Sequence, residues 1–135
     1  MPLTVTILTP GRCLIDDQEC HQVELPGAAG MFGVLPDHTP LVTPLAVGEL
    51  RLLGPDGVVT RRFAIAEGFT EVTPAKVTVT ARAAEAAEEI DVDRAKAARG
   101  RAQGRLSRRT REIDVARAEA ALARATNRLR IASAN

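Results

Sequence analysis

The chain has 135 residues, 45% of them hydrophobic and 26% charged, room for one ordinary domain or a small domain with an appendage. Its net charge of +1 hides a division: residues 1–89 hold 6 Lys and Arg against 12 Asp and Glu, whereas residues 90–135 hold 12 against 5. Such a split points to a partner, whether nucleic acid, an acidic protein surface or a phosphorylated ligand. No apolar run reaches the roughly 18 residues that a membrane-spanning helix needs.

The N-terminal "MPLTVTILTPGRC" has no basic start and no long apolar stretch, so no secretory signal is expected. It opens instead with alternation, "LTVTIL" at 3–8, closed by Pro10-Gly11. "HQVEL" (21–25) alternates and ends at "PGAAG"; "ELRLL" (49–53) alternates and ends at "GPDG", with Asp56-Gly57 at the tip of a hairpin. "VVTRRFAIAEGFTEV" (58–72) carries one or two strands, and "KVTVTA" (76–81) follows the turn Thr73-Pro74. Many short strands with Gly and Pro between them predict a sandwich or barrel. Phe32, Phe63 and Phe69 are the only aromatic residues, so Val, Leu and Ile must fill the core.

From Arg82 onward there is no proline, and Ala, Arg and Glu dominate. Asp91 is placed to cap a helix that runs to about Leu106, weakened near its end by Gly100, Gly104 and Ser107. "SRRTRE" (107–112) reads as a connector, and a second helix runs from about Ile113 to Ile131. Val92, Ala95, Ala102 and Leu106 mark one face of the first helix; Val115, Ala118, Leu122, Ala125 and Leu129 mark one face of the second. A short connector makes the two antiparallel neighbours. Their seam is mostly alanine, which permits close approach but buries little area, so a marginally docked hairpin is expected.

The chain holds little that resembles an active site. Cys13 and Cys20 are expected to be free, small thiols. Cys20 and His21 are strand neighbours on opposite faces and are not expected to share a metal. "GAAGMFG" (27–33) lacks the Lys-Ser/Thr of a phosphate-cradling loop, and no nucleophile accompanies His38 in "LPDHTPL". Residues 90–135 contain no aromatic side chain on which a nucleic acid base could stack.

Taken together, "PGAAGMFGVLPDHTPL" (26–41), "VGELRL", "FAIAEGFTEVTPAKVTVTA", "EIDVDRAKAA" and "AEAALARATNRLR" make the chain resemble the epsilon subunit of the rotary F-type ATP synthase nearly end to end. The first segment is similar to that family's G-x-x-G-x-x-G-V-L-P-G-H-A-P-L pattern, and Ile90, Asp91, Arg94 and Ala95 match its I-D-x-x-R-A segment. Asp37 and Glu67 stand where the family commonly has glycine, and Met31 where some members carry a carboxylate.

The resemblance implies a β + α protein: an N-terminal β-sandwich of about ten short strands over residues 1–84, then a C-terminal antiparallel two-helix hairpin over 85–135. It implies a non-catalytic rotor subunit of a proton- or sodium-translocating synthase. The sandwich would bind the gamma subunit and the c-ring through Met31, Phe32, Pro36, Asp37, His38, Thr39 and Pro40. The hairpin would inhibit ATP hydrolysis by extending into the alpha/beta catalytic head. The protein would lie peripherally at the cytoplasmic face of a bacterial plasma membrane, without inserting into it and without binding nucleic acid. No cofactor is required; in some relatives the folded hairpin binds regulatory ATP, and the residues implied here are Glu85, Ile90, Asp91, Arg94, Ala95, Arg101, Arg124 and Arg128, with no need of Mg. A free nucleotide- or nucleic-acid-binding module with a basic helical tail is the alternative.

Overall fold

The computed structural model describes residues 2–108 and 114–134. The reading of 107–112 as a connector and of Ile113 as a helix start falls largely outside the described residues. Eight strands come first: β1 (Leu3–Thr9), β2 (Arg12–Cys20), β3 (Gln22–Gly27), β4 (Gly30–Val34), β5 (Leu41–Leu45), β6 (Gly48–Leu53), β7 (Val59–Val72) and β8 (Lys76–Ala86). A single 3-10 turn, Ala87–Glu89, leads to α1 (Val92–Arg108) and α2 (Val115–Ala134). The sandwich-then-hairpin architecture is the expected one. There are eight strands among the described residues where about ten were expected, because residues 59–72 form one strand of 14 residues.

Two long strands build both layers. The second half of β7 pairs with β5 (Thr43↔Thr70) and with the first half of β8 (Val72↔Val77). That half of β8 runs parallel to β1 (Val5↔Val77), and β2 closes the layer beyond β1. The first half of β7 pairs instead with β6 (Leu50↔Phe63) and with the second half of β8 (Phe63↔Ala86), while β3 and β4 lie beyond β6. A closing contact joins Gly27 of β3 to Leu45 of β5. The two-residue periodicity explains the core. Leu3, Val5 and Ile7, Leu50 and Leu52, Phe63 and Ile65, and Val77 and Val79 all turn inward and are almost wholly buried. Phe63 is the one aromatic fully buried among the described residues; Phe69 is half exposed.

The Asp56-Gly57 turn forms as its sequence requires: Gly57 has φ +78°, and the Asp56 carboxylate accepts the Val58 N–H at 3.1 Å. Asp37 (φ +65°) and Glu67 (φ +59°), the two positions where a glycine is common in the resembled family, both adopt left-handed backbone. An L-residue there costs about 1–2 kcal/mol. Glu67 gains little in return, since its partner Arg82 is 3.5 Å away and largely exposed. Glu67→Gly should therefore stabilise the protein by about 0.5–1 kcal/mol, after the greater chain entropy of glycine is subtracted. Urea unfolding would show it as a raised midpoint; an unchanged or lower midpoint would mean that the Glu67 side chain contributes more than its geometry indicates.

Candidate functional site

The connection between sandwich and hairpin is short and polar. β8 ends at Ala86, and the 3-10 turn is held to the sandwich by two ion pairs: Arg12 Nη2 donates to both oxygens of Glu89 at 2.9 Å, and Arg61 donates to Glu88 at 3.2 Å. The hydrogen bond from Arg12 holds the Glu89 carboxyl below its ordinary pKa. Asp91 then caps α1 as expected, its Oδ1 accepting the Arg94 N–H at 3.0 Å. Asp114 caps α2 in the same way through the Arg117 N–H.

The helices meet along alanine. Ala95 and Ala102 of α1 and Ala118 and Ala125 of α2 are buried, as the stripes indicated. Val92 and Val115, each the first residue of its helix, are exposed rather than part of the seam. α2 lies on the sandwich through Asn127, Arg128 and Ile131 near its C-terminal end. Asn127, buried, donates to the Gly48 carbonyl at 2.9 Å and accepts from Arg130 at 2.8 Å. Arg128 pairs with Glu85 of β8. Ile131 is completely buried in a small second core with Ala64, Ala87 and Ile90.

Between hairpin and sandwich lies a cavity of about 430 Å³, within the range of small-molecule sites. Its walls are alanines from β7, β8, α1 and α2, and its polar lining is Arg12, Glu85, Arg94, Arg124, Asn127 and Arg128. Four guanidinium groups against one carboxylate give the cavity a positive lining, the electrostatic character that suits an anion. Arg94 and Arg124 form no ion pair among the described residues, while Arg128 is engaged by Glu85 and Arg12 by Glu89.

Of the residues implied for ATP, the fold brings Glu85, Arg94, Arg124 and Arg128 together on this cavity. The others stand elsewhere. Ile90 belongs to the second core, Asp91 is spent on the helix cap, Ala95 is buried in the helix seam, and Arg101 is exposed away from the cavity. Arg12, Asn127 and the alanine walls were not anticipated. Arg12 lies 77 residues from Glu89 in sequence, and a buried Asn in an alanine-rich helix gives no signal until its carbonyl partner is known.

The residues implied for rotor contact lie along β4 and in the segment that follows it. Met31 pairs with Pro26 near the start of β4 and is half exposed. Phe32 packs partly against the main core. Pro36, Asp37, His38, Thr39 and Pro40 follow the other end of β4, which rises about 10 Å from Met31 to Val34. There the Asp37 N–H donates to the Pro74 carbonyl at 2.7 Å. Nδ1 of His38 lies 2.6 Å from the Thr39 carbonyl oxygen, which only accepts, so Nδ1 carries the proton. Both cysteines are free thiols, and burial pushes that of Cys20 up to about 11. No described helix is long and apolar enough to cross a membrane.

Comparison with known proteins bears on the whole chain. Residues 2–87 match the family model for the ATP synthase delta/epsilon chain β-sandwich domain, and residues 88–133 match that for the delta/epsilon chain long α-helix domain. An ATP synthase epsilon chain of Koribacter versatilis is 46% identical over 102 residues, 74% of this chain and 68% of the relative. One of Pelotomaculum thermopropionicum is 49% identical over 104 residues, 77% of this chain and 75% of the relative. The fold is also that of a chain in the cryo-EM structure of Euglena gracilis mitochondrial ATP synthase, with a TM-score of 0.81 at 21% identity, covering 99% of this chain and 82% of the other. Two family domains in the right order, filled by a sandwich and a helix pair, and close identity to bacterial epsilon chains establish that this chain belongs to the ATP synthase delta/epsilon family.

Proposed function

We propose that this chain, a non-catalytic subunit of an ATP synthase, works in the central stalk, where it couples rotation of the c-ring to the catalytic head. Its β-sandwich grips the gamma subunit and rests on the c-ring at the cytoplasmic face of the membrane, and its hairpin acts as a regulatory arm. With the arm folded onto the sandwich, the cavity binds ATP; with the arm extended, its arginines meet acidic surfaces of the alpha and beta subunits and restrain hydrolysis. The coupling ion is a proton or a sodium ion, handled by other subunits.

The observation that carries the regulatory reading is the cavity itself. It exists only where hairpin and sandwich meet, and both helices turn arginines into it: Arg94 from α1, Arg124 and Arg128 from α2. Arg124 and Arg128 are one turn apart, a spacing that suits adjacent phosphates. A ligand bound by one arrangement of the hairpin and not by the other must favour the first.

Calorimetric titration with ATP tests this. Wild-type protein should bind, and Arg124→Ala/Arg128→Ala should weaken binding at least a hundredfold, about 1.4 kcal/mol for each tenfold step. The same variant should still co-purify with the gamma subunit. ATP binding untouched by the double change would remove the cavity from the regulatory account, and loss of gamma binding would refute the division of labour between sandwich and arm.

A further inference from the structure

The basic side chains of the cavity come from three elements, not only from the two helices. Arg12 opens β2, in the sandwich, yet lines the same space as Arg94, Arg124 and Arg128. It is at present held by Glu89, the last residue of the 3-10 turn and two residues before the Asp91 cap. Both members of that pair are about half exposed, 51% and 44%, so the contact is screened and contributes little. An anion of higher charge in the cavity can displace Glu89 at small cost.

Resting on the reading of the cavity as an anion site, we infer that Arg12 is a fourth cationic contact for a polyphosphate chain and leaves Glu89 to make it. Two of the four guanidinium groups, those of Arg94 and Arg124, stand without a carboxylate partner among the described residues, and two are already engaged. A short phosphate chain carries enough negative charge to recruit all four, provided that the carboxylates of Glu85 and Glu89 give way. The exchange has a structural consequence. The ligand then ties β2 directly to both helices, while the 3-10 turn loses one of its two ion pairs to the sandwich. Binding in the cavity thereby acts on the hinge as well as on the arm. The chemistry recognised is the phosphate chain, whether it belongs to a nucleoside triphosphate or to free tripolyphosphate.

The test is a calorimetric titration of the full chain with ATP and, separately, with tripolyphosphate, for wild type, Arg12→Ala and Glu89→Gln. Exchange predicts opposite signs. Arg12→Ala should weaken both ligands about tenfold, the loss of one charge-assisted contact. Glu89→Gln should tighten both several-fold, because Arg12 no longer has to be drawn from a carboxylate. If Arg12 merely braces the hinge, the two substitutions break the same contact and move the affinity in the same direction, which overturns the inference. ATP bound equally well by wild type and Arg12→Ala overturns it too, and leaves the cavity as an ATP site. Wild-type protein that binds neither ligand removes the anion site and the inference together. With the Arg12→Ala loss present, ATP held far more tightly than tripolyphosphate identifies the source as a nucleotide, and equal affinities identify the phosphate chain alone; either pattern supports the role of Arg12.

Discussion

Gly68→Ala should cost the sandwich at least about 3 kcal/mol, a lowering of the melting temperature by about 15 °C or more for a domain of this size. Gly68 has φ +147°, and a Cβ built there would lie 2.2 Å from the Thr80 carbonyl oxygen and 2.7 Å from the Ala81 Cα. Both obstacles are backbone, so no rotamer change relieves them. β8 would have to retreat, yet at Thr80 it is paired with Phe69 of β7 on one side and with Leu8 of β1 on the other. Relief of the clash therefore breaks one ladder or bends both. The position matters because the chain passes here from one layer to the other. The first half of β7 brings Ala64 and Ala66 to the cavity wall, and the second half of β8 brings Glu85. Thermal melts followed by circular dichroism would read the loss. Glu67→Gly, one residue away, serves as the control and should move the melt upward. A Gly68→Ala protein that melts within a few degrees of wild type would show that β8 can shift without penalty and that the corner is not pinned by this contact.

That corner also shows where sequence reading stops. Alternation located β1, β3, β6, β7 and the first half of β8, because inward and outward positions follow from the two-residue period, but β2, β4 and β5 were not legible in it. The Asp56-Gly57 turn and the Asp91 cap were legible for the same reason: the residue that shapes the backbone sits in the segment that it shapes. The length of β7 was not legible. Residues 58–72 read as one or two strands, and only tertiary pairing to β8 carries a single strand through Glu67-Gly68. Burial of charge was equally hidden. Glu49 is almost enclosed between Arg51 and Arg62, though its place in "ELRLL" looks like an ordinary outward position. At the candidate site the arginines of the helices could be anticipated from spacing and resemblance. Arg12 could not, since only the fold brings the start of β2 to the hinge.

The second large effect is expected at Ile131. Ile131→Ala should release the hairpin while leaving the sandwich folded. α2 is seated on the sandwich by three neighbouring contacts, Asn127 to the Gly48 carbonyl, Arg128 to Glu85, and Ile131 in its small apolar core. Full burial of one isoleucine stabilises by about 1.5–3 kcal/mol, the Asn127 hydrogen bond by about 1 kcal/mol, and a part-exposed ion pair by about 1 kcal/mol or less. Ordering the hairpin opposes all three. Ile131 is thus the largest favourable contribution to a small balance, and trimming it to alanine costs about 2–5 kcal/mol. The main core does not include it, so the sandwich has no reason to unfold. Limited proteolysis with trypsin separates the two outcomes, because residues 90–135 hold 12 of the 18 Lys and Arg. When opening is fast relative to cleavage, proteolysis follows the open population, and a shift of 2 kcal/mol is about thirtyfold. The hairpin should therefore be cut about thirtyfold faster, leaving a stable fragment of the sandwich. Added salt should speed the wild-type reaction as well, since it screens the Arg128–Glu85 pair. The variant should also bind ATP more weakly, although Ile131 does not line the cavity. Affinity falls in proportion to the fraction of molecules in which the cavity is assembled. Unaltered trypsin resistance in Ile131→Ala would mean that the polar contacts alone seat the arm. Increased cleavage with unaltered ATP affinity would mean that ATP does not depend on the folded arm, and the proposed latch would fall.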